Sequence, residues 1–165
     1  DFFDLYIIAA GYLGKTKLAI VDHKEALKIA RINYYGIIPW ITSITSNDRI
    51  LKAGSMWILS SVAADLGRPS NYHYGASKSA LTTFSQGLFY RCNGKPFKVR
   101  IIKAGLINTN MSFGVSPKIL YASKQNFAKY LLRKPHKDGI EYFPWWWFWV
   151  IKVILFLPKT LISKL

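Results

Sequence analysis

The sequence predicts an α/β fold in which helices cover a parallel sheet. Short apolar runs of the kind found in buried strands alternate along the chain with longer segments of helical character. The order strand, helix, strand, helix, strand requires crossover connections, which make the strands parallel. With 165 residues, 51% of them hydrophobic, the chain can form one domain with its own core.

Each expected element has its own signal in the sequence. The four strands are short apolar runs, at residues 5–9, 55–60, 99–103 and 140–143. The three helices lie between them, at residues 24–45, 74–91 and 123–133. Pro39 is expected to kink the first helix, because proline removes a backbone donor. Gly94 is a stop signal after the second helix, and Ser123 and Pro135 are the expected N-cap and end of the third.

Small residues follow three of the expected strands. Gly11, Ser61 and Gly105 each lie just beyond the carboxyl end of an apolar run. These ends share one edge of a parallel sheet, and ligands of such sheets bind outside that edge. We therefore expect the three residues to converge on one cleft.

Tyr74 and Lys78 form the most informative motif, Tyr74-Gly-Ala-Ser-Lys78. Residues four apart on a helix share a face. Such a lysine can lower the pKa of the phenol, which prepares the tyrosine to move a proton near neutral pH. Ser61, at the end of the preceding strand, can hydrogen-bond the same reacting oxygen. These groups suit reduction of a ketone, or oxidation of an alcohol, beside a hydride carrier.

The Tyr-x-x-x-Lys spacing is a weak signal when taken alone. Ten tyrosines and seventeen lysines give about one such pair by chance. A second pair, Tyr130 and Lys134, has Pro117 at the serine position and no strand before it. The strand and helix around Tyr74 therefore favour the first pair over an ordinary half-buried tyrosine.

Several segments resemble the short-chain dehydrogenase/reductase family. Ile-Leu-Ser-Ser61 followed by Tyr74-Gly-Ala-Ser-Lys78-Ser-Ala-Leu is similar to the active-site segment of that family. Three further segments resemble it in the same order: residues 6–11 (the strand and turn in the middle of the fold), 32–36 (the helix with the catalytic asparagine) and 103–111 (the stretch over the nicotinamide). The resemblance implies a Rossmann-type, doubly wound parallel sheet.

The resemblance also implies the site residues. The catalytic set would be Asn33, Ser61, Tyr74 and Lys78. Tyr74 would exchange a proton with the carbonyl oxygen, Ser61 would orient the carbonyl, Lys78 would lower the pKa of Tyr74 and bind the nicotinamide ribose, and Asn33 would hold a water. Asn33 has a structural alternative, since asparagine is common near helix irregularities. NAD or NADP would contact Ala10, Gly11, Tyr74, Lys78, Gly105, Ile107 and Thr109.

The glycine-rich loop with which this family begins is missing from the sequence. That Gly-x-x-x-Gly-x-Gly loop seats the cofactor pyrophosphate on a helix N-terminus, and Gly11 and Gly14 already belong to the later turn. We expect a fragment without the N-terminal cofactor-binding half, inactive alone, whose first strand is an exposed apolar edge. Its expected parts are a partial nucleotide-binding domain, residues 1–143, and an apolar, basic helix, residues 144–165.

The net charge of +15 is concentrated in the C-terminal half. Residues 1–94 carry ten basic and six acidic side chains, and residues 95–165 carry thirteen and two. Such an excess attracts nucleic acid, anionic lipid or a phosphorylated substrate. The basic residues form no compact block or recognisable nucleic-acid module, so we expect no nucleic-acid partner. Three scattered histidines and one cysteine predict neither a metal site nor an internal disulfide.

The C-terminus holds an aromatic segment, residues 145–149, within an apolar stretch interrupted by Lys152. It falls short of the roughly 20 residues that span a bilayer. Tryptophans favour the membrane interface, and Lys159 and Lys164 suit anionic headgroups. The segment predicts contact with a membrane surface through residues 145–165, or a lid over a lipid-linked substrate. The alternative is a dimer or core helix.

Residues 54–111, the Tyr142-Phe-Pro-Trp145 strand end and this apolar, lysine-bearing tail together resemble the family members that reduce a decaprenyl-phosphoryl keto-pentose. The resemblance implies a small-molecule or lipid-linked sugar substrate and a cytoplasmic location, peripheral at the inner membrane face. It also implies a homo-oligomer formed through the two long helices. A non-catalytic remnant, acting as a membrane-associated or partner-binding module, is the second interpretation: the catalytic set favours an enzyme, and the missing loop favours present inactivity.

Overall fold

A computed structural model describes residues 3–109 and 120–163 of the chain. Its centre is a parallel sheet whose four described strands lie in chain order. These strands are β1 (Leu5–Ile8), β2 (Ser55–Ser61), β3 (Lys98–Ala104) and β4 (Gly139–Phe143). The predicted α/β class and parallel sheet are confirmed, and each strand lies within two residues of its predicted bounds.

The helices cover both faces of this sheet. They are α1 (Thr16–Ala19), α2 (His23–Ala30), α3 (Ile38–Thr45), α4 (Tyr72–Arg91), α5 (Lys124–Arg133), α6 (Trp147–Leu155) and α7 (Lys159–Ile162). On one face, Met56 and Ile58 of β2 share a buried cluster with Ile41 of α3 and Leu81 of α4. On the other, Trp57 packs in a cluster with Leu131 of α5.

The single helix predicted over residues 24–45 is wrong. A π-helical turn, Arg31–Tyr35, follows α2 directly, and a turn at Gly36 separates it from α3. Pro39 lies in the first turn of α3, where a backbone N–H has no intrahelical acceptor and proline is well accommodated. The break therefore precedes the proline, which begins a helix here and does not kink one.

Three predicted helix signals are found in the structure. The Ser123 hydroxyl accepts a hydrogen bond of 3.1 Å from the Asn126 N–H, which caps α5. Gly94 has φ +78°, a left-handed conformation that glycine adopts easily, just after the end of α4. Pro135 follows the end of α5 by two residues.

The C-terminal segment contains two helices, where one was expected. Phe156, Leu157 and Pro158 separate α6 from α7, and Lys164 lies outside the described residues. Trp147 and Ile151 of α6 are buried in a small cluster with Val62, which follows β2. This contact holds α6 against the same end of the sheet as the expected cleft.

The strand β1 lies at an edge of the sheet that the structure describes. It pairs with β2 alone within residues 3–109 and 120–163, and the Ile7 side chain is 52% exposed. This arrangement agrees with the expected apolar edge.

Candidate active site

A cleft of about 290 Å³ lies at the carboxyl ends of β1, β2 and β3. Its lining includes Gly11 after β1, Ser60 of β2, Tyr74 and Lys78 of α4, and Gly105 after β3. Parallel strands place these positions along one edge of the sheet. The sequence motifs around Gly11, Tyr74 and Gly105 therefore meet at one place in the fold.

Ser61 and Tyr74 lie close enough for the Ser61 hydroxyl to lower the pKa of the Tyr74 phenol. Ser61 ends β2, and its Oγ also accepts a hydrogen bond of 3.1 Å from the Ala63 N–H, the first contact of a 3₁₀ turn. Tyr74 lies in the first turn of α4. Burial raises the pKa of Tyr74, and the hydrogen bond from Ser61 offsets part of that rise.

Lys78 is 3% exposed and its ammonium group reaches across the sheet edge. Its Nζ donates to the carbonyl oxygens of Leu59, at 3.1 Å, and Ala10, at 3.3 Å. Burial lowers the pKa of Lys78 to about 8. The pKa of Tyr74 is raised and not lowered as expected, because burial of the phenol dominates while the Lys78 ammonium is directed to two backbone carbonyls.

Asn33 is fully buried in the π-helical turn and its amide side chain is bonded at both ends. Nδ2 donates to the Tyr12 carbonyl at 2.7 Å, and Oδ1 accepts from the Tyr12 N–H at 2.9 Å. The side chain thus clamps the residue that follows Gly11. Both ends of the amide are thus occupied by backbone groups, and the catalytic role of Asn33 stays a prediction.

Gly105 is a position where the fold requires glycine. Its N–H donates to the Phe143 carbonyl at 2.8 Å, and an added Cβ would lie 2.6 Å from Cε2 of the Trp147 indole. Ile107 and Thr109 line the cleft beyond it, and Ile107 pairs with Ala122 in an isolated parallel bridge. Met111, the last residue of the motif, lies outside the described residues.

Sequence reasoning missed several residues of the cleft. Arg68 and Asn71 come from the loop between Ser61 and α4, and Lys124 and Phe127 come from α5. This loop connects two residues that were both predicted to belong to the site. That connection could have identified the loop as part of the cleft. The position of α5 depends on a buried ion pair between Arg100 and Glu141 that no local pattern reveals.

A second buried network lies beside the cleft. Lys103 of β3 forms an ion pair with Asp65, four residues after Ser61. The Tyr142 hydroxyl of β4 donates to the second Asp65 oxygen at 2.9 Å. This network ties the segment after Ser61 to the two neighbouring strands, so the Ser61 hydroxyl is held by a rigid support.

The described residues set limits on other kinds of site. Within residues 3–109 and 120–163, no three His, Cys, Asp or Glu side chains are grouped so that they could hold a metal ion. In the same part of the chain, each helix is too short or too polar to cross a membrane.

Comparisons with known proteins agree with this geometry. Residues 1–133 match the family model described as enoyl-(acyl carrier protein) reductase. An uncharacterized oxidoreductase of Mycobacterium tuberculosis is 27% identical over 140 residues, which are 84% of this chain and 56% of the relative. A 3-oxoacyl-[acyl-carrier-protein] reductase of Buchnera aphidicola is 24% identical over 131 residues, 79% of this chain and 52% of the relative. The chain thus spans about half the length of these relatives.

Solved structures share the fold. A short-chain dehydrogenase of Burkholderia cenocepacia in complex with NADP has a TM-score of 0.71 and 22% identity, over 85% of this chain and 59% of that one. A 3-oxoacyl-[acyl-carrier protein] reductase of Brucella melitensis with bound NAD has a TM-score of 0.69 and 20% identity, over 85% and 60%. The expected Rossmann-type parallel sheet is thereby confirmed.

Proposed function

Because the chain belongs to the short-chain dehydrogenase/reductase family, we propose that it supplies the catalytic half of an NAD(P)-dependent oxidoreductase. The reaction is reduction of a ketone or oxidation of a secondary alcohol. One observation carries this proposal: Tyr74 and the buried Lys78 line one cleft at the carboxyl ends of the strands, and Ser61, at the end of β2, lies close enough to Tyr74 to lower its pKa. Two hydroxyl donors on one oxygen suit a carbonyl that becomes an alkoxide.

In the proposed reduction, the carbonyl oxygen of the substrate accepts hydrogen bonds from Ser61 and Tyr74. Tyr74 gives its proton to that oxygen as the carbonyl carbon is reduced, and it takes the proton back in the oxidising direction. NAD or NADP, when bound, supplies or receives the hydride. An ammonium at Lys78 would favour the tyrosinate that forms during reduction.

The cleft suits the nicotinamide end of such a cofactor. Gly11, Gly105, Ile107 and Thr109 line the cleft, and the carbonyl oxygen of Ala10 accepts a hydrogen bond from Lys78 beside them. Bound NADP and NAD in proteins of the same fold support this choice. The pyrophosphate loop is not among these 165 residues, so we assign to the chain only the contacts around the nicotinamide and its ribose.

We further propose that the substrate is a lipid-linked keto-sugar. The protein would then act at the inner face of the cytoplasmic membrane. The support for this proposal is the outer surface of the C-terminal helices, where Trp145 and Phe156 are 70% and 88% exposed. A homo-oligomer formed through α3 and α4 is a further proposal, supported by the exposed Trp40 of α3. The second interpretation, a non-catalytic remnant, is supported by the missing loop alone.

The first experiment is to read the coding DNA upstream of Asp1. An in-frame strand followed by Gly-x-x-x-Gly-x-Gly is the expected result for an enzyme, whereas a stop codon or an unrelated sequence would support the remnant.

The second experiment tests Tyr74 in the protein expressed from that complete gene. Tyr74→Phe should lower kcat by roughly 10²- to 10⁴-fold, because the general acid is lost. Tyr130→Phe is the matched control from the other Tyr-x-x-x-Lys pair; it removes a 2.7 Å hydrogen bond to Glu141 outside the cleft and should leave kcat unchanged. NAD(P)H oxidation with a panel of ketones is the measurement. Retained turnover in Tyr74→Phe would contradict the assignment.

A further inference from the structure

Arg68 lines the cleft, and no carboxylate of the described residues forms an ion pair with its guanidinium. It lies on the loop between Ser61 and α4 and lines the same cleft as Tyr74 and Lys78. The side chain is partly buried, and burial lowers the pKa of Arg68. Within residues 3–109 and 120–163, no Asp or Glu forms an ion pair with it.

The surrounding sequence offers no neutralising group either. Residues 66–137 contain no Asp or Glu at all, and this range includes the segment 110–119 that the structure does not describe. Asp65, the nearest carboxylate in sequence, is bonded to Lys103 and Tyr142. A partly desolvated cation without a partner costs free energy, which an anionic ligand recovers. The planar fork of arginine suits the oxygens of phosphate and carboxylate.

Asn71 adds an unsatisfied acceptor at the same place. Its N–H donates to the Arg68 carbonyl at 3.1 Å, so one turn brings both side chains to the cleft. The Asn71 Oδ1 atom is buried without a hydrogen-bond partner in the described structure. Buried acceptors in folded proteins are nearly always satisfied. A hydroxyl on a ligand that also carries the anion would satisfy this one.

We propose that Arg68 binds an anionic group of the substrate, a phosphate or a carboxylate, while Asn71 accepts a hydrogen bond from a substrate hydroxyl. The inference rests on the proposed function and names the substrate class of that site. Arg68 lies on the loop that joins Ser61 to Tyr74, the two groups assigned to the carbonyl, whereas the assigned cofactor contacts at Ala10, Gly105 and Thr109 come from other loops. Arg68 is therefore a specificity-determining residue for the carbonyl substrate.

The test compares charged and neutral ketones on the protein expressed from its complete gene. Acetoacetate is paired with ethyl acetoacetate, and dihydroxyacetone phosphate with dihydroxyacetone, so the two pairs distinguish carboxylate from phosphate. Binding is measured by calorimetry and turnover by NAD(P)H oxidation, for the wild type, Arg68→Gln and the control Arg133→Gln. Arg133 is exposed at the end of α5 and is not part of the cleft lining.

We expect at least one anion to bind more tightly than its neutral partner. Arg68→Gln should lower the affinity for that anion by about 30-fold or more. It should leave the affinities for the neutral ketone and for NAD(P)H unchanged. Arg133→Gln should behave as the wild type. Neutral ketones that bind as well as the anions, equal losses for both in Arg68→Gln, or no anion binding at all would each overturn the inference. Arg68-dependent anion binding without NAD(P)H oxidation would support the inference and count against the proposed function.

Discussion

The candidate active site combines a buried amine, Lys78, with a partly buried phenol, Tyr74. Lys78 is held by two backbone carbonyls in an environment that lowers its pKa to about 8. Tyr74 lies beside Ser61, and burial raises the pKa of its phenol. Near neutral pH the cleft therefore holds a neutral phenol, which is the form needed to donate a proton during reduction.

Burial of Lys78 predicts a pH-dependent loss of stability. The folded-state pKa of about 8 lies below the ordinary value of 10.5, so protonation opposes folding. The penalty, up to about 3 kcal/mol, is fully present below pH 8 and fades as the pH rises toward 10.5. We expect the unfolding free energy of the wild type to rise relative to that of Lys78→Met across this window, measured by urea unfolding at successive pH values.

The control for this prediction is Lys129→Met, which removes an exposed lysine on α5. Its unfolding free energy should follow that of the wild type at every pH. Parallel curves for the wild type and Lys78→Met would mean that the Lys78 amine is not perturbed in the folded state.

Residue-level prediction from the sequence depended on how local each signal is. Ser61, Tyr74 and Lys78 lie on one strand end and the next helix, so the local strand and helix signals together with the spacing were enough to group them. The two hydrogen bonds between the Asn33 amide and the Tyr12 backbone join residues that are 21 apart, and no periodic pattern reports such a contact. The raised pKa of Tyr74 depends on burial by surrounding elements, which spacing does not describe.

At the scale of elements, the contact between α6 and the end of the sheet includes a close approach to one glycine. The Trp147 indole packs on Gly105, immediately after β3 and at the edge of the cleft. The Trp147 Nε1 atom is buried without a hydrogen-bond partner among the described residues. Because α6 packs where the candidate cofactor contacts begin, its docking and the shape of the cleft depend on each other.

Gly105→Ala should destabilise the protein by about 1–3 kcal/mol, because the new methyl group overlaps the Trp147 indole. Urea unfolding measures the effect. Gly67→Ala is the matched control, since a Cβ at Gly67 meets nothing within 4 Å. In a Trp147→Ala background, Gly105→Ala should cost far less, because the overlapping ring is gone. An equal cost in both backgrounds would show that the strain lies elsewhere.

The break between α2 and α3 shows why some elements were mispredicted. Residues 24–45 have helical character in sequence apart from Gly36 and Pro39, and the interruption was assigned to Pro39. The structure instead inserts a π-helical turn that carries the buried Asn33 toward Tyr12. The tertiary hydrogen bonds of Asn33 accompany this irregularity, and they are not encoded in helix periodicity.

At the scale of the whole molecule, charge and apolar surface coincide at the C-terminal end. Glu141 is the last acidic residue of the chain, and three lysines follow it. The outer surface of the C-terminal helices exposes Trp145, Trp149 and Phe156. A symmetric contact between two copies of this surface would bring lysines against lysines, whereas anionic lipid headgroups would neutralise them.

This surface predicts binding to anionic vesicles. The chain should float with vesicles of phosphatidylglycerol and not with those of phosphatidylcholine, and added salt should weaken binding. Trp149→Ser with Phe156→Ser should lower the partition coefficient by at least about tenfold, since each ring loses apolar burial. Lys152→Gln and Lys159→Gln should each lower the partition coefficient about fivefold.

Trp40→Ser is the control, because Trp40 is 70% exposed on α3, outside the C-terminal helices. Equal binding to both lipids, or an effect of Trp40→Ser as large as that of the double variant, would contradict a specific lipid-facing surface at these helices.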